Sequence, residues 1–481
     1  MTTLPPPIPG FPDPDEAPGT ALDTEGPSSP LDDRYHVHIE QAHDAKMNII
    51  VEDRDKSGRT IVRRWLHTPD NRIIEIPLSD RPRSSLFRSL QNFRQVIFDA
   101  FLPIGYPNSV APDYLPYQIF DSLQAFFSTI TSLLANRAIL QGLGVGDASS
   151  SATYALLLTI LKDAVSRVAT IVFAYRFGLS VEPDAKRYRF LADLFNDSAF
   201  FLDLASPYLG TWAKIAALTL AEALRALCGV AAGASKAALS SHFARSNNLA
   251  ELNAKEASQE TAIGLVGLLT GSVIVRFVES REAVFSLMIL LVFVHLWMNY
   301  LGVCCVQLET LNRQRTTILV QHYLGTGQVL TPAQVAQREN IVFWAPFIRN
   351  KDGVLVAHVT YARSYREAMP DGYQPVVYGD AGFRLIIWRS TGPVVPMKIL
   401  LSGDKEEELA ALEAWILAVR IAWNLGRKGG GNTKAGRIIP RLRTGGWRLD
   451  EHGFETGIPI RTWTAVVGDE DKVEGHAKKT Q

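Results

Sequence analysis

The run Ala283-Val-Phe-Ser-Leu-Met-Ile-Leu-Leu-Val-Phe-Val-His-Leu-Trp-Met-Asn-Tyr-Leu-Gly-Val-Cys-Cys-Val-Gln-Leu308 contains no Asp, Glu, Lys or Arg. A helix needs roughly 20 apolar residues to cross the hydrocarbon core of a bilayer, and this run is long enough. Just before it, Ala262-Ile-Gly-Leu-Val-Gly-Leu-Leu-Thr-Gly-Ser-Val-Ile-Val275 is also uncharged and carries Gly264, Gly267 and Gly271. Small residues at that spacing let membrane helices approach closely. The charged turn Arg276–Glu282 joins the two runs, so together they read as a helical hairpin that crosses the membrane twice.

Upstream, helices are expected over 114–141, 152–177, 186–204 and 208–232. These are less purely apolar. They carry Asp121, then Lys162, Asp163 and Arg167, then Asp193 and Asp197, then Lys214, Glu222 and Arg225. One reading is a soluble bundle of amphipathic helices. The other is a polytopic core whose inner charges pair or face a cavity. Six crossings counted from a cytoplasmic N-terminus put Arg176, Lys186, Arg187 and Arg189, then Lys236, Arg245 and Lys255, then Arg313 and Arg315 on the cytoplasmic side. The connections 142–151 and 205–212 on the opposite side hold no Lys or Arg. Such a bias follows the positive-inside rule and favours the polytopic reading. The expectation is a mainly α protein of an intracellular membrane, with about six core helices over 102–310 and both termini cytoplasmic.

The flanks are polar. Residues 1–34, rich in Pro, Asp, Glu and Gly, read as a disordered tail with no signal-peptide pattern. Residues 35–101 read as a small strand-containing element followed by an amphipathic helix with Leu86, Leu90, Phe93, Ile97 and Phe101 on one stripe. Residues 330–426 alternate β-rich runs with turns and end in an amphipathic helix over 404–425, which predicts a C-terminal α+β domain. Residues 427–481 read as a flexible tail, and the Gly-, Lys- and Arg-rich 426–446 as a solvated linker.

Several function classes fall away. Lys plus Arg equals Asp plus Glu, at 49 each, so no global charge favours nucleic acid. The three cysteines, Cys228, Cys304 and Cys305, have no metal-ligand spacing and form no disulfide framework. No P-loop, Rossmann fingerprint, Gly-x-Ser-x-Gly or His-Glu-x-x-His is found. The chain is therefore expected to be no enzyme, with no catalytic residues, no metal and no resident cofactor.

Between Leu102 and about Gly271 run the segments Leu102-Pro-Ile-Gly-Tyr-Pro-Asn-Ser-Val110, Asp113-Tyr-Leu-Pro-Tyr-Gln-Ile-Phe-Asp121, Gly142-Leu-Gly-Val-Gly146 and Ala192-Asp-Leu-Phe-Asn-Asp197. They continue in Gly229-Val-Ala-Ala-Gly-Ala-Ser-Lys-Ala-Ala-Leu239, His242-Phe-Ala-Arg-Ser-Asn-Asn248 and Ala254-Lys-Glu-Ala-Ser-Gln-Glu-Thr261. In order and spacing they resemble the root UV-B sensitive family, also described as the vitamin B6 photoprotection and homoeostasis family. The resemblance implies a membrane protein tied to UV-B response and vitamin B6 homeostasis, with a vitamin B6 compound as ligand or substrate and members acting together. Near Lys162-Asp163-Ala164 the family tends to have Arg-Asp-Gly, so one helix contact is expected to differ. The core also resembles one half of a major facilitator transporter, a superfamily that sets two such halves around a midplane site. That analogy implies a homo-oligomer, or a hetero-oligomer with a related family member.

Within this frame Lys162, Arg167, Lys236, Asp121 and Gln118 are the candidate substrate contacts. Lys162 and Arg167 suit an anionic solute, although Asp163 and Arg167 at i,i+4 also suit a self-neutralised pair. Gln118 and Asp121 share a helix face, or nearly so, with Asp113 and Tyr117. The polar residues of the family motifs are Asp113, Asp193, Asn196, Asp197, His242, Arg245, Asn247, Asn248, Lys255, Gln259 and Glu260. His242 and Arg245 suit a phosphate or partner contact, Asn247 and Asn248 a turn or helix cap, and the acidic start of the fifth helix its dipole. His295, alone in an apolar run, reads as a packed residue. Expected partners are membrane lipid and, at the C-terminal domain, another protein. The contrasting reading is therefore a membrane-anchored adaptor.

Overall fold

The computed structural model describes residues 49–54, 61–68, 70, 72–76, 97, 98, 100–142, 152–369, 372, 374–380, 382–388, 392–403, 409–425, 438–457 and 460–463. The tail expected over 1–34, most of the amphipathic helix over 84–101 and the glycine-rich residues 143–146 lie outside this set. The chain divides into two compact units, Met1–Ser84 and Ser85–Gln481.

The first unit is an antiparallel sheet of β1 (Ile49–Arg54), β2 (Ile61–His67) and β3 (Ile73–Ile76), in that order. Register places Glu52 opposite Arg64, whose Nε and Nη2 donate to Glu52 Oε1 at 2.9 and 2.6 Å. Such cross-strand pairs fix register in a small sheet.

The second unit opens with long helices: α1 (Tyr114–Gly142), α2 (Ala152–Val181), α3 (Ala185–Ala205), α4 (Thr211–Phe243), α5 (Leu249–Phe277) and α6 (Arg281–Cys305). Among the described residues α4, α5 and α6 are long and apolar enough to cross a membrane. α4 runs well past its expected end at 232, because nothing in the Ala-, Gly- and Ser-rich continuation breaks a helix and Ala231 and Ser235 pack inward. The hairpin turn is shorter than the expected 276–282, since Ser280 Oγ caps α6 by accepting from Ala283 N at 3.3 Å.

The helices pack with α1 against α5 and α6, and α4 against α2 and α3. Ile130, Leu134, Phe200, Met288 and Leu291 form one apolar cluster between α1, α3 and α6. Outward faces are just as apolar: Leu156, Leu157 and Ile171 on α2, Leu265 and Leu269 on α5, and Ile289 and Phe293 on α6 are all exposed. A helix apolar on every side suits a lipid surround. Gly267 and Gly271 line the α5–α1 contact, where an added Cβ would sit 2.9 Å from Thr129 Cβ and 2.5 Å from Leu133 Cδ1, respectively. Gly264 faces open space and takes no part.

The C-terminal region begins with β4 (Thr310–Asn312), α7 (Arg313–Thr326) and α8 (Pro332–Ala336). There follow β5 (Phe347–Arg349), β6 (Leu355–Tyr361), α9 (Tyr365–Ala368), β7 (Val376–Asp380), β8 (Phe383–Ile387), β9 (Val395–Ser402) and α10 (Ala410–Asn424). The sheet order is β5-β6-β9-β8-β7, with β6 and β9 parallel and the other neighbours antiparallel. Trp415 of α10 is wholly buried and donates through Nε1 to Thr317 Oγ1 of α7 at 3.0 Å. The span 427–481 is not uniformly a tail. α11 (Ile438–Thr444) buries Ile438 and Leu442 in the same core as Trp447, Leu449 and Phe454. β10 (Arg448–Gly453) pairs with β4, and β11 (Arg461–Thr462) with β9.

Candidate functional site

A polar network crosses the apolar helical core. α3 projects Arg189, Asp193 and Asp197 at i,i+4 steps, so all three share one face. Arg189 Nη2 donates to Asp121 Oδ1 of α1 at 2.7 Å and to Gln124 Oε1 at 3.0 Å. Its Nη1 lies 3.4 Å from Asp193 Oδ1, and its Nε donates to Tyr117 OH at 3.3 Å. Gln124 Nε2 donates to Asp193 Oδ2 at 2.7 Å and approaches His295 Nε2 at 3.0 Å. His295 Nδ1 meets Asp197 Oδ2 at 2.8 Å, and Asn299 Nδ2 bonds to Asp193 Oδ2. All of these side chains are buried or nearly so. Two carboxylates, Asp121 and Asp193, therefore face the Arg189 guanidinium, and the third, Asp197, faces His295.

A second chain of ion pairs links α2, α4 and α3. Lys162 Nζ lies 3.2 Å from Glu222 Oε2, which is 3.6 Å from Arg225 Nη1, and Arg225 also bonds to the buried Asp203. Lys236 of α4 pairs with Glu260 of α5. Between these groups opens a cleft of about 570 Å³ whose polar wall includes Asp121, Gln124, Arg189, Asn196, Arg225 and Glu260. Charges of both signs line it, an arrangement suited to a small polar or zwitterionic solute.

The sequence-derived candidates fall into three groups. Asp121, Asn196 and Glu260 line the cleft, Lys236 holds Glu260, and Asp193 and Asp197 stand in the network behind it. Lys162 joins the second chain, while Arg167 and Asp163 point outward, exposed. Gln118 is buried facing a different, apolar groove that also borders Gln259, and neither of its amide atoms has a partner. The remaining candidates stitch the end of the bundle. Asp113 Oδ2 accepts from Gln307 N at 2.6 Å and pairs with His242 Nε2 at 2.9 Å. Burial pushes the Asp113 carboxyl up, but His242 and the Gln307 amide outweigh this and hold it below its ordinary value. Arg245 Nη2 donates to Glu309 Oε1 at 2.6 Å. Asn247 takes the left-handed turn conformation at φ 52°, Asn248 stands at the α5 N-cap position without a side-chain cap, Lys255 is half-buried, and Gln259 donates to Phe101 O.

A further ion cluster joins the helical and C-terminal parts of the second unit. Glu339 accepts from Lys186 and from Arg315 Nε, the latter at 2.8 Å, with all three side chains buried. Arg315 also donates to Thr310 O at 2.7 Å and Pro183 O at 3.2 Å. Burial alone would raise the Glu339 carboxyl, but Lys186 and Arg315, as charges and as donors, hold it below its ordinary value.

Sequence reasoning missed Gln124 and Asn299, named Arg225 only as one helix charge among several, and assigned Arg189 to a cytoplasmic connection, whereas its guanidinium stands in the buried network. It also took His295 for a solitary packed residue, whereas its ring meets Asp197 and Gln124. One signal was available: His295 and Asn299 stand at i,i+4 on an otherwise apolar helix, which puts two polar groups on one face. Among the described residues no group of three or more His, Cys, Asp and Glu is placed to hold a metal ion.

Residues 88–327 match the family model described as the vitamin B6 photo-protection and homoeostasis domain. The chain is 35% identical over 271 residues to RUS family member 1 of Dictyostelium discoideum, covering 56% of this chain and 51% of that one. It is 36% identical over 271 residues to protein root UVB sensitive 3 of Arabidopsis thaliana, covering 55% and 61%. To protein root UVB sensitive 2, chloroplastic, of Arabidopsis thaliana it is 30% identical over 257 residues, covering 53% and 58%. The chain thus spans between half and two thirds of the length of these relatives. No solved structure matches it.

Proposed function

The chain belongs to the root UV-B sensitive family, whose vitamin B6 photo-protection and homoeostasis domain it carries over residues 88–327, and we propose that it is a non-enzymatic integral membrane protein that moves or meters a small polar metabolite. The observation that carries this reading is the cleft between α1, α3, α4 and α5, with Arg189, Arg225, Asp121 and Glu260 in its wall. Charges inside a bundle with apolar outer faces are costly, and proteins keep them where a solute or ion must pass. In this reading α1–α6 form one half of a carrier of major facilitator type, and a second copy or a related family member supplies the other half. Both termini face the cytoplasm of an intracellular membrane. Vitamin B6 compounds are the first solutes to try, because the domain is described by them.

The test is uptake of labelled pyridoxal, pyridoxine and pyridoxal 5′-phosphate by vesicles holding the purified protein. Saturable uptake that is lost in folded Arg189→Gln supports transport through the cleft. Absence of uptake for all three, with the protein shown to be inserted and folded, ends the vitamin B6 carrier reading. The adaptor reading draws on β7, an edge strand whose Val376, Val377 and Tyr378 are 39, 48 and 45% exposed. Such an edge accepts an added strand from a partner. It predicts that Val377→Pro abolishes cellular function while Arg189→Gln is tolerated.

A further inference from the structure

A second cavity, of about 590 Å³, lies where the ends of α2 and α3 meet β6, β9 and the segment after β10. Its walls differ in kind from those of the helical cleft. Four guanidinium groups line it: Arg176 near the end of α2, Arg187 in the first turn of α3, Arg313 at the start of α7, and Arg363 after β6. Two acids oppose them, and both are engaged. Glu455 is held by Arg461 through bonds of 2.6 and 2.9 Å, and Asp184 accepts from Asn312 Nδ2 at 3.0 Å with Arg313 at 3.9 Å. The cavity therefore keeps a surplus of positive charge.

The remaining wall is aromatic. Phe173, Tyr188 and Phe195 face it from the helical side, and Tyr361 and Phe454 from the sheet side. Phe173 and Tyr188 meet edge to face at 6.1 Å, which leaves ring surface for a planar guest. Arg187 Nε and Thr360 Oγ1 lie behind this wall, shielded from the cavity and without a hydrogen-bond partner. A surplus of guanidinium groups beside aromatic rings points to an anionic guest that carries a ring of its own. The volume is that of a small-molecule site.

From these features we infer that the junction cavity binds a small planar aromatic phosphate monoester, with the phosphate toward Arg187 and Arg313 and the ring between Tyr188 and Tyr361. A guanidinium fork matches phosphate oxygens, and the aromatic faces supply the selectivity that a bare anion site lacks. The inference does not rest on the transport reading, because it concerns a site outside the helical cleft and is read by binding alone.

The test is calorimetric titration of the full chain in lipid nanodiscs with phenyl phosphate, pyridoxal 5′-phosphate, pyridoxine and inorganic phosphate, each at constant ionic strength. Both aryl phosphates are expected to bind saturably. Pyridoxine and inorganic phosphate are expected to bind at least about tenfold more weakly, each lacking one half of the contacts. Arg187→Gln should cost the aryl phosphates about tenfold or more. Arg363→Gln, a change at an exposed position, gives the same direction of effect should Arg187→Gln fail to fold. Equal affinity for inorganic and aryl phosphate overturns the aromatic half of the inference, and no binding of any aryl phosphate overturns it whole. So does unchanged aryl phosphate affinity in both variants. Arginine-dependent binding of phosphatidic acid in the nanodisc, without binding of soluble aryl phosphate, overturns it in favour of a lipid headgroup.

Discussion

His295 Nδ1 lies 2.8 Å from Asp197 Oδ2, joining α6 to α3 at a point where both residues are wholly or almost wholly out of solvent. The two are 98 residues apart in sequence, so the contact exists only because the fold brings the helices together. Removing one partner leaves the other buried and uncompensated, which in protein interiors costs about 3–5 kcal/mol. His295→Leu and Asp197→Leu are each expected to lower the thermal midpoint of the detergent-purified protein strongly. The double change to Leu should recover much of the loss, since an apolar pair of similar volume is tolerated there. Additive losses in the double variant would mean that the pair is not coupled.

Glu339 sets the acid limit of the junction between the helical and C-terminal parts. Its carboxyl is held below the ordinary value of 4.5 by Lys186 and Arg315 against the opposing effect of burial. A depressed carboxylate contributes stability that is fully present above its unfolded value and is lost as pH falls through its folded value. Asp113, also depressed, acts in the same direction, while Asp184, raised by burial despite its arginine neighbours, acts in the opposite one. Protection of the amides of α7 and β4 against hydrogen exchange, referred to the intrinsic rate at each pH, should therefore be flat at neutral pH and fall below about pH 4.5. Glu339→Gln should speed exchange already at neutral pH and flatten the acid response. An unchanged acid response in that variant would assign the limit to other carboxylates.

Parts of this were legible in the sequence, and physics explains the division. The helices announce themselves through local signals: uncharged runs, glycines at helical spacing, charges at i,i+4. Asp121, Asp193 and Asp197 were found because α1 and α3 carry their own pattern. His295 was misread because its partners lie 98 and 171 residues away and periodicity along one helix cannot see them. Lys186, Arg315 and Glu339 were missed for the same reason, each looking like a surface charge in its own segment. The C-terminal error has a different origin. Glycine and basic residues dominate 426–446 and mask Ile438 and Leu442, whose i,i+4 spacing places both in the core beside Trp447.

Gln118 is 5% exposed, and neither its amide nitrogen nor its amide oxygen has a partner. An unpaired buried polar group costs about 1–3 kcal/mol, and exchange for an apolar group of similar shape relieves that cost. Gln118→Met is expected to raise the thermal midpoint while leaving the helical content unchanged. Destabilisation by this change would show that the amide is satisfied in the folded protein and belongs to a polar contact.

Gly267 and Gly271 both face α1, but they are not equivalent. A methyl at Gly271 would meet Leu133 Cδ1 at 2.5 Å, the far end of a flexible side chain that can turn away. A methyl at Gly267 would meet Thr129 Cβ at 2.9 Å and the Phe126 carbonyl at 3.2 Å, and neither can move without moving α1 itself. Overpacking of this kind costs about 1–3 kcal/mol when the backbone must yield. Gly271→Ala is therefore expected to be nearly neutral, and Gly267→Ala to lower the thermal midpoint and loosen α5 from α1. Because Glu260 lies on α5 and Asp121 on α1, loosening these helices should also widen the cleft. In a spin-label distance measurement between the two helices, Gly267→Ala should lengthen and broaden the distribution while Gly271→Ala leaves it in place. Equal effects of the two substitutions would show that the closeness of the helices, and not these particular contacts, governs their packing.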